Sequence, residues 1–113
     1  MPVARDITKD EDVERTMATA GPRIDCLANV AGIMDGMMPL HEIDNALRDR
    51  VMAVNVTGTS KVSRAVLPLM MEQGEDSIVN VASQAALRGN ATGTACGTSK
   101  HAIAGMTKSE AFL

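Results

Sequence analysis

Two short apolar, β-branched runs, "IDCLANV" at 24–30 and "SIVNVAS" at 77–83, stand on either side of a long stretch of helical periodicity, and this order limits the fold more than anything else in the chain. Strands joined through a helix run parallel, because an antiparallel pair needs only a short turn, and such crossovers are right-handed. Between the runs, from Glu42 to Glu72, Ile43, Leu47, Val51, Val54, Val62, Ala65, Val66 and Leu69 recur at spacings of three and four, with a break near Asn55 to Gly58. The stretch reads as two consecutive helices. Pro68 should bend the second by removing an amide donor, with Met70 and Met71 filling the irregular gaps.

Further elements flank this unit. Thr8 and Glu11 fit a capping box before Val13, Met17 and Ala20, so a helix is expected over 9–20, stopped by Gly21-Pro22. The 24–30 run suits a strand buried on both faces, although periodicity alone leaves a helix open. Ala102, Ile103, Met106 and Ala111 place a last helix over 97–112. Helix, strand, helices, strand and helix in that order make an α/β layered fold, with ligands at the carboxyl ends of the strands. At 113 residues one domain is expected, and with Phe112 as the only aromatic against nine methionines its core must be aliphatic and thioether.

Charge and cysteine usage exclude several classes. The net charge is −3 with acidic and basic residues interspersed, which offers no stripe for a phosphate backbone, so no nucleic-acid partner is expected. No apolar run is long enough to span a bilayer and the first residues lack the apolar core of a secretion signal, so the expected setting is cytoplasmic, away from membranes. Cys26 and Cys96 lie far apart without metal-ligand spacing, so both are expected as reduced thiols and no metal site is expected.

Three stretches put small or polar residues just past a strand or at a helix junction: "NVAG" at 29–32, "NVTG" at 55–58 and "VASQ" at 81–84. Each alone has an ordinary reading, Ser83 ending a strand and Asn55 capping a helix. With "CGTSK" at 96–100 they form an ordered set, and the chain closely resembles the short-chain dehydrogenase/reductase family, whose motifs run NNAG, NVxG, a serine ending a strand, and Y-x-x-x-K. The resemblance extends from Asp6 in "ARDIT" to "KHAIAGMTKS".

The resemblance implies an incomplete Rossmann-like doubly wound parallel sheet, with residues 1–113 a partial NAD(P)-binding domain. In the family's strand order 3-2-1-4-5-6-7, residues 2–6 would be strand 3 and the two runs strands 4 and 5, left as a parallel pair with both outer edges unpaired. The implied activity is oxidoreduction of a small alcohol or ketone with NAD or NADP. Lys100 would hold the nicotinamide ribose, Ser83 the substrate oxygen, and Asn55 a water in a proton relay. Asp6 would contact the adenine, and Asn29, Ala31 and Gly32 would line its ribose side. The helices at 42–73 and 97–112 resemble the pair the family uses between subunits, which implies a homo-oligomer.

Two departures change the expectation. Cys96 stands where the family's proton-donating tyrosine stands, and a thiol one bond beyond Cβ does not reach where a phenol oxygen does, so carbonyl reduction should be slow at best. Nothing matches the glycine-rich T-G-x-x-x-G-x-G turn, nor is there the residue that chooses NAD over NADP. A non-catalytic interaction module, or a remnant of such an enzyme, is the alternative reading. A thiol-dependent enzyme using Cys96 beside Lys100 is a third.

Overall fold

Leu27–Asn29 (β1) and Ile78–Asn80 (β2) pair in parallel, Leu27 opposite Ile78 and Asn29 opposite Asn80, with the helical stretch between them as the crossover. In the computed structural model, which describes residues 2–74 and 77–112, the remaining elements are α1 (Asp10–Ala20), α2 (Asn45–Met52), a π-helical segment (Ala53–Gly58), α3 (Thr59–Gln73), a short 3-10 turn (Gln84–Ala86) and α4 (Thr94–Glu110). The α/β alternation and the two-stranded parallel pair are as the sequence implies, and residues 2–6 form no strand.

The strands are shorter and more open than expected. Each keeps three residues, because pairing exists on one side only and the ladder soon runs out, through Leu27 N–H to the Ser77 carbonyl and Val81 N–H to the Asn29 carbonyl. Upstream, Ile24 is held by a side chain: its N–H donates to Gln73 Oε1 at 3.0 Å, and Gln73 Nε2 donates to its carbonyl at 2.7 Å. The expectation of a strand buried on both faces fails. Helices cover one face, while Ala28, Val30, Val79 and Val81 are exposed on the pair and its flank.

Helix boundaries differ for local reasons. Thr8 does not cap α1; its hydroxyl donates to Asp6 Oδ1, and the side chain at the third helical position, Asp12, reaches back instead to accept the Asp6 amide. α2 starts at Asn45 rather than near Glu42, because Asp44 Oδ1 accepts the Leu47 amide at 2.7 Å. The expected break at Asn55 to Gly58 is a continuous π-helical passage, which adds a residue to the turn without ending the helix. Gly58 admits the Ile7 side chain there; a Cβ at 58 would lie 2.6 Å from Ile7 Cγ1. α3 runs through Pro68, which is exposed, and ends at Gly74 in the left-handed region (φ 78). Met70 is fully buried there, but Met71 is 71% exposed and fills nothing.

The core is small and partly polar. Val51, Val66, Met70, Ala95 and Ile103 are buried, and so are Asn55, Asp35 and Ser99. The accessible surface is 7282 Å², against about 6,000 Å² expected for a folded chain of this mass. The radius of gyration is 15.0 Å, where a closed domain of this length has about 13 Å. The surplus belongs with the one-sided sheet. Among the described residues no helix is long and apolar enough to cross a membrane, and no group of His, Cys, Asp and Glu is arranged to hold a metal ion.

Candidate functional site

Asn55 organises the carboxyl end of β1. The π-helical turn carries its side chain inward, where it is 1% exposed. Its Oδ1 accepts the Ile33 amide at 2.7 Å, and its Nδ2 donates to the Ile33 carbonyl and to Ser99 Oγ, both at 3.0 Å. Both amide hydrogens are thereby committed, and one Oδ1 lone pair remains. Asn55 is therefore not a helix cap: it clasps the backbone of the loop that leaves β1. Ser99 passes the connection on, donating to the Cys96 carbonyl at 2.7 Å.

Gly32 lies where this clasp meets α4. A Cβ there would sit 3.3 Å from Asn55 Oδ1 and 3.5 Å from Lys100 Nζ, so glycine lets an amide acceptor and an ammonium both approach the backbone of the loop. Lys100 Nζ also donates to the Val81 carbonyl at 3.3 Å, which brings the end of β2 to the same place. Ser83, two residues further on, is exposed; its Oγ accepts the Ala85 amide at 2.8 Å and starts the 3-10 turn. Its hydroxyl hydrogen is left to donate outward. Asn55, Gly32 and Lys100 are thus brought together by these contacts, with Ser83 in the segment that follows β2, two residues past the Val81 carbonyl that Lys100 holds.

Cys96 does not join them. It lies in the first turn of α4, which begins at Thr94 rather than 97, and it is only 6% exposed; Cys26 is exposed. Its backbone amide donates to the buried Asp35 carboxylate at 2.9 Å. Neither Asp35 nor Ser99 carries a signal of this role in the sequence, since the contacts that tie each across the fold, Asp35 to Cys96 and Ser99 to Asn55, join residues far apart along the chain.

Asp6, Asn29 and Ala31 line a cavity of about 140 Å³ together with Val13, Leu27 and Val62. That is below the roughly 300–1,000 Å³ of ligand pockets, so it is a partial wall. Asn29 turns its amide inward, donating to Ser63 Oγ at 3.0 Å and Asn80 Oδ1 at 2.8 Å. Asp6 stays exposed, and the Thr8 hydroxyl and then the Thr8 amide, both donating to Oδ1, hold its carboxyl below the usual carboxylate range. Asp12 is lowered likewise, first by its hydrogen bond with Arg15 and then by the Asp6 amide.

A lowered folded pKa adds stability that is present above the unfolded value and is lost as pH falls through the folded one. The docking of residues 6–12 should therefore hold at neutral pH and loosen only in acid. In an NMR titration the Asp6 and Thr8 amide shifts should move together with midpoints below 3.8, the ordinary aspartate value; midpoints at or above it would show that these bonds do not form in solution.

The sequence matches the family model described as short chain dehydrogenase over residues 1–112. It is 48% identical over 92 residues to the short chain dehydrogenase ausX of Aspergillus calidoustus, an alignment covering 81% of this chain and 36% of that protein. An NAD+-bound xylitol dehydrogenase structure superposes with a TM-score of 0.91 at 35% identity, over 96% of this chain and 43% of the other. ElxO with NADP bound superposes with a TM-score of 0.85 at 29% identity, over 94% and 44%. The chain thus spans well under half the length of each of these proteins.

Proposed function

The chain belongs to the short-chain dehydrogenase family, and on that premise we propose that it carries the ribose-holding side of a nicotinamide-nucleotide site for oxidoreduction of a small alcohol or ketone, with its proton donor replaced. The observation that carries this reading is the meeting of Asn55 Oδ1 and Lys100 Nζ at the Gly32 backbone. A sugar edge rich in hydroxyls suits that pair, since an ammonium only donates and an amide oxygen only accepts. The structures similar to this chain hold NAD+ in one case and NADP in the other, and either nucleotide is consistent with the proposal.

When bound, the nucleotide supplies the hydride equivalent. The chain's own residues would then do the following. Lys100 binds the ribose hydroxyls and contributes positive charge. Asn55 holds the Ile33 backbone and offers its remaining Oδ1 lone pair to a water. Ser83 donates its hydroxyl hydrogen to the substrate oxygen, its own acceptor side being occupied by the Ala85 amide. Cys96, buried and short, gives no proton at that oxygen.

Calorimetric titration of the folded chain with NAD, NADH, NADP and NADPH tests the proposal. Binding of at least one in the micromolar range is expected, and Lys100→Ala should weaken it about 10–100-fold, the worth of a charge-assisted hydrogen bond. Absence of binding, or an affinity indifferent to Lys100, would overturn it and favour the non-catalytic interaction module.

A further inference from the structure

The Asp35 carboxylate is buried, 1% exposed, in the loop that leaves β1, and it lies at the amino end of α4. Taking a carboxylate out of water is costly unless its oxygens are satisfied. Both are: Oδ2 accepts the Cys96 amide at 2.9 Å and Oδ1 accepts the Met37 amide at 3.1 Å. The amino end of a 17-residue helix adds a favourable partial positive charge. The helix itself has glycine at its cap position and makes no side-chain cap of its own, so Asp35 supplies from 61 residues away what the local sequence lacks.

Neighbouring contacts serve the same joint. The Thr94 amide donates to the Met38 carbonyl at 3.0 Å, so two loop positions three residues apart, Asp35 and Met38, grip two amides of the first turn. Gly36 and Met37 both have positive φ, 68° and 64°, and the Met37 amide that closes this tight turn is bonded to Asp35. Gly93 has an ordinary extended conformation, so it is glycine for space: a Cβ there would overlap the Asp35 carboxylate.

We propose that Asp35 is a positioning residue that pins the first turn of α4 to the 33–38 loop, fixing Cys96 in its buried place and setting Lys100, one turn on, beside Gly32. The loop is gripped at Ile33 by Asn55 and at Asp35 and Met38 by α4, which ties the helix to the backbone beside Gly32. The pinning stands on these bonds alone; its bearing on nucleotide binding rests on the function proposed above.

Hydrogen exchange on the unaltered chain is the first test. Cys96 N–H is at the third helical position and should exchange about 10–100-fold more slowly than Ala95 N–H, which has no acceptor among the described residues. The variant Asp35→Asn keeps the shape but sets an N–H2 against one of two backbone donors, so it should raise Cys96 amide exchange about ten-fold. It should also speed alkylation of the Cys96 thiol relative to exposed Cys26 in the same molecule, while exchange at Val66 and Met70 in α3 stays unchanged. Gly93→Ala, which displaces the carboxylate without altering its charge, should reproduce both effects. Equal exchange at Ala95 and Cys96 in the unaltered chain, or an unchanged thiol ratio in a folded variant, overturns the proposal. If the unaltered chain binds no nucleotide, the proposed function fails while amide and thiol readouts still decide for or against Asp35; if it does bind, Asp35→Asn should weaken that affinity as well.

Discussion

Asn55→Ala is expected to cost the chain about 3–5 kcal/mol, most of the stability a small domain has. The substitution strips the Ile33 amide and carbonyl of their partner in a buried place, and an orphaned buried polar group costs about 1–3 kcal/mol. Ser99 loses a donor but keeps its bond to the Cys96 carbonyl, so it adds little. Net stabilities of about 5–15 kcal/mol are usual, and a chain with a one-sided sheet and surplus surface belongs at the low end. Urea denaturation followed by circular dichroism reads the effect directly. A loss below about 1 kcal/mol would mean that water replaces the amide and that the clasp is not structural. Ser99→Ala, which removes one acceptor only, should cost about 1 kcal/mol in the same assay.

This result separates two roles that the sequence could not. The motif "NVTG" draws attention to Asn55, but it reads as a helix break because Asn, Thr and Gly all weaken a helix. A π-helical turn satisfies the same composition without a break, and local sequence contains nothing to choose between them. Parallel pairing was legible because the two β-branched runs and the long helical stretch admit few topologies. Their lengths were not, since a run of apolar residues reports propensity while the ladder ends where neighbours end. The buried supports were invisible for a third reason. Asp35 in "GIMDGMM" has no periodicity and its partner is 61 residues away; Gln73 looks like any exposed residue at a helix end until it grips Ile24. Thr8 and Glu11 show the converse, a correct local pattern overridden because Asp6 offered the Thr8 hydroxyl a stronger, charged acceptor.

The largest gain expected from a single substitution is at Cys96. In a chimera whose preceding segment supplies the glycine-rich turn this sequence does not contain and whose following segment supplies a substrate pocket, both from a relative, Cys96→Tyr should raise carbonyl reduction about 10²–10⁴-fold, the usual worth of a positioned general acid. The backbone at 96 is held by its own amide through Asp35, whatever side chain it carries, so tyrosine starts from the same place as cysteine. The gain requires that the longer phenol extend past the buried shell that encloses the thiol and reach the exposed Ser83. Lys100 is four residues on, on the same face of α4, and its charge favours the phenolate when the reaction runs as oxidation. Reduced-nucleotide absorbance with a small ketone measures the rate. If the tyrosine chimera folds and binds nucleotide yet turns over no faster than its cysteine parent, reach at position 96 is not what holds the activity down. The remaining explanation would be that Lys100, drawn to the Val81 carbonyl, sits in the wrong place to assist, and Asp35 would be the residue to change next.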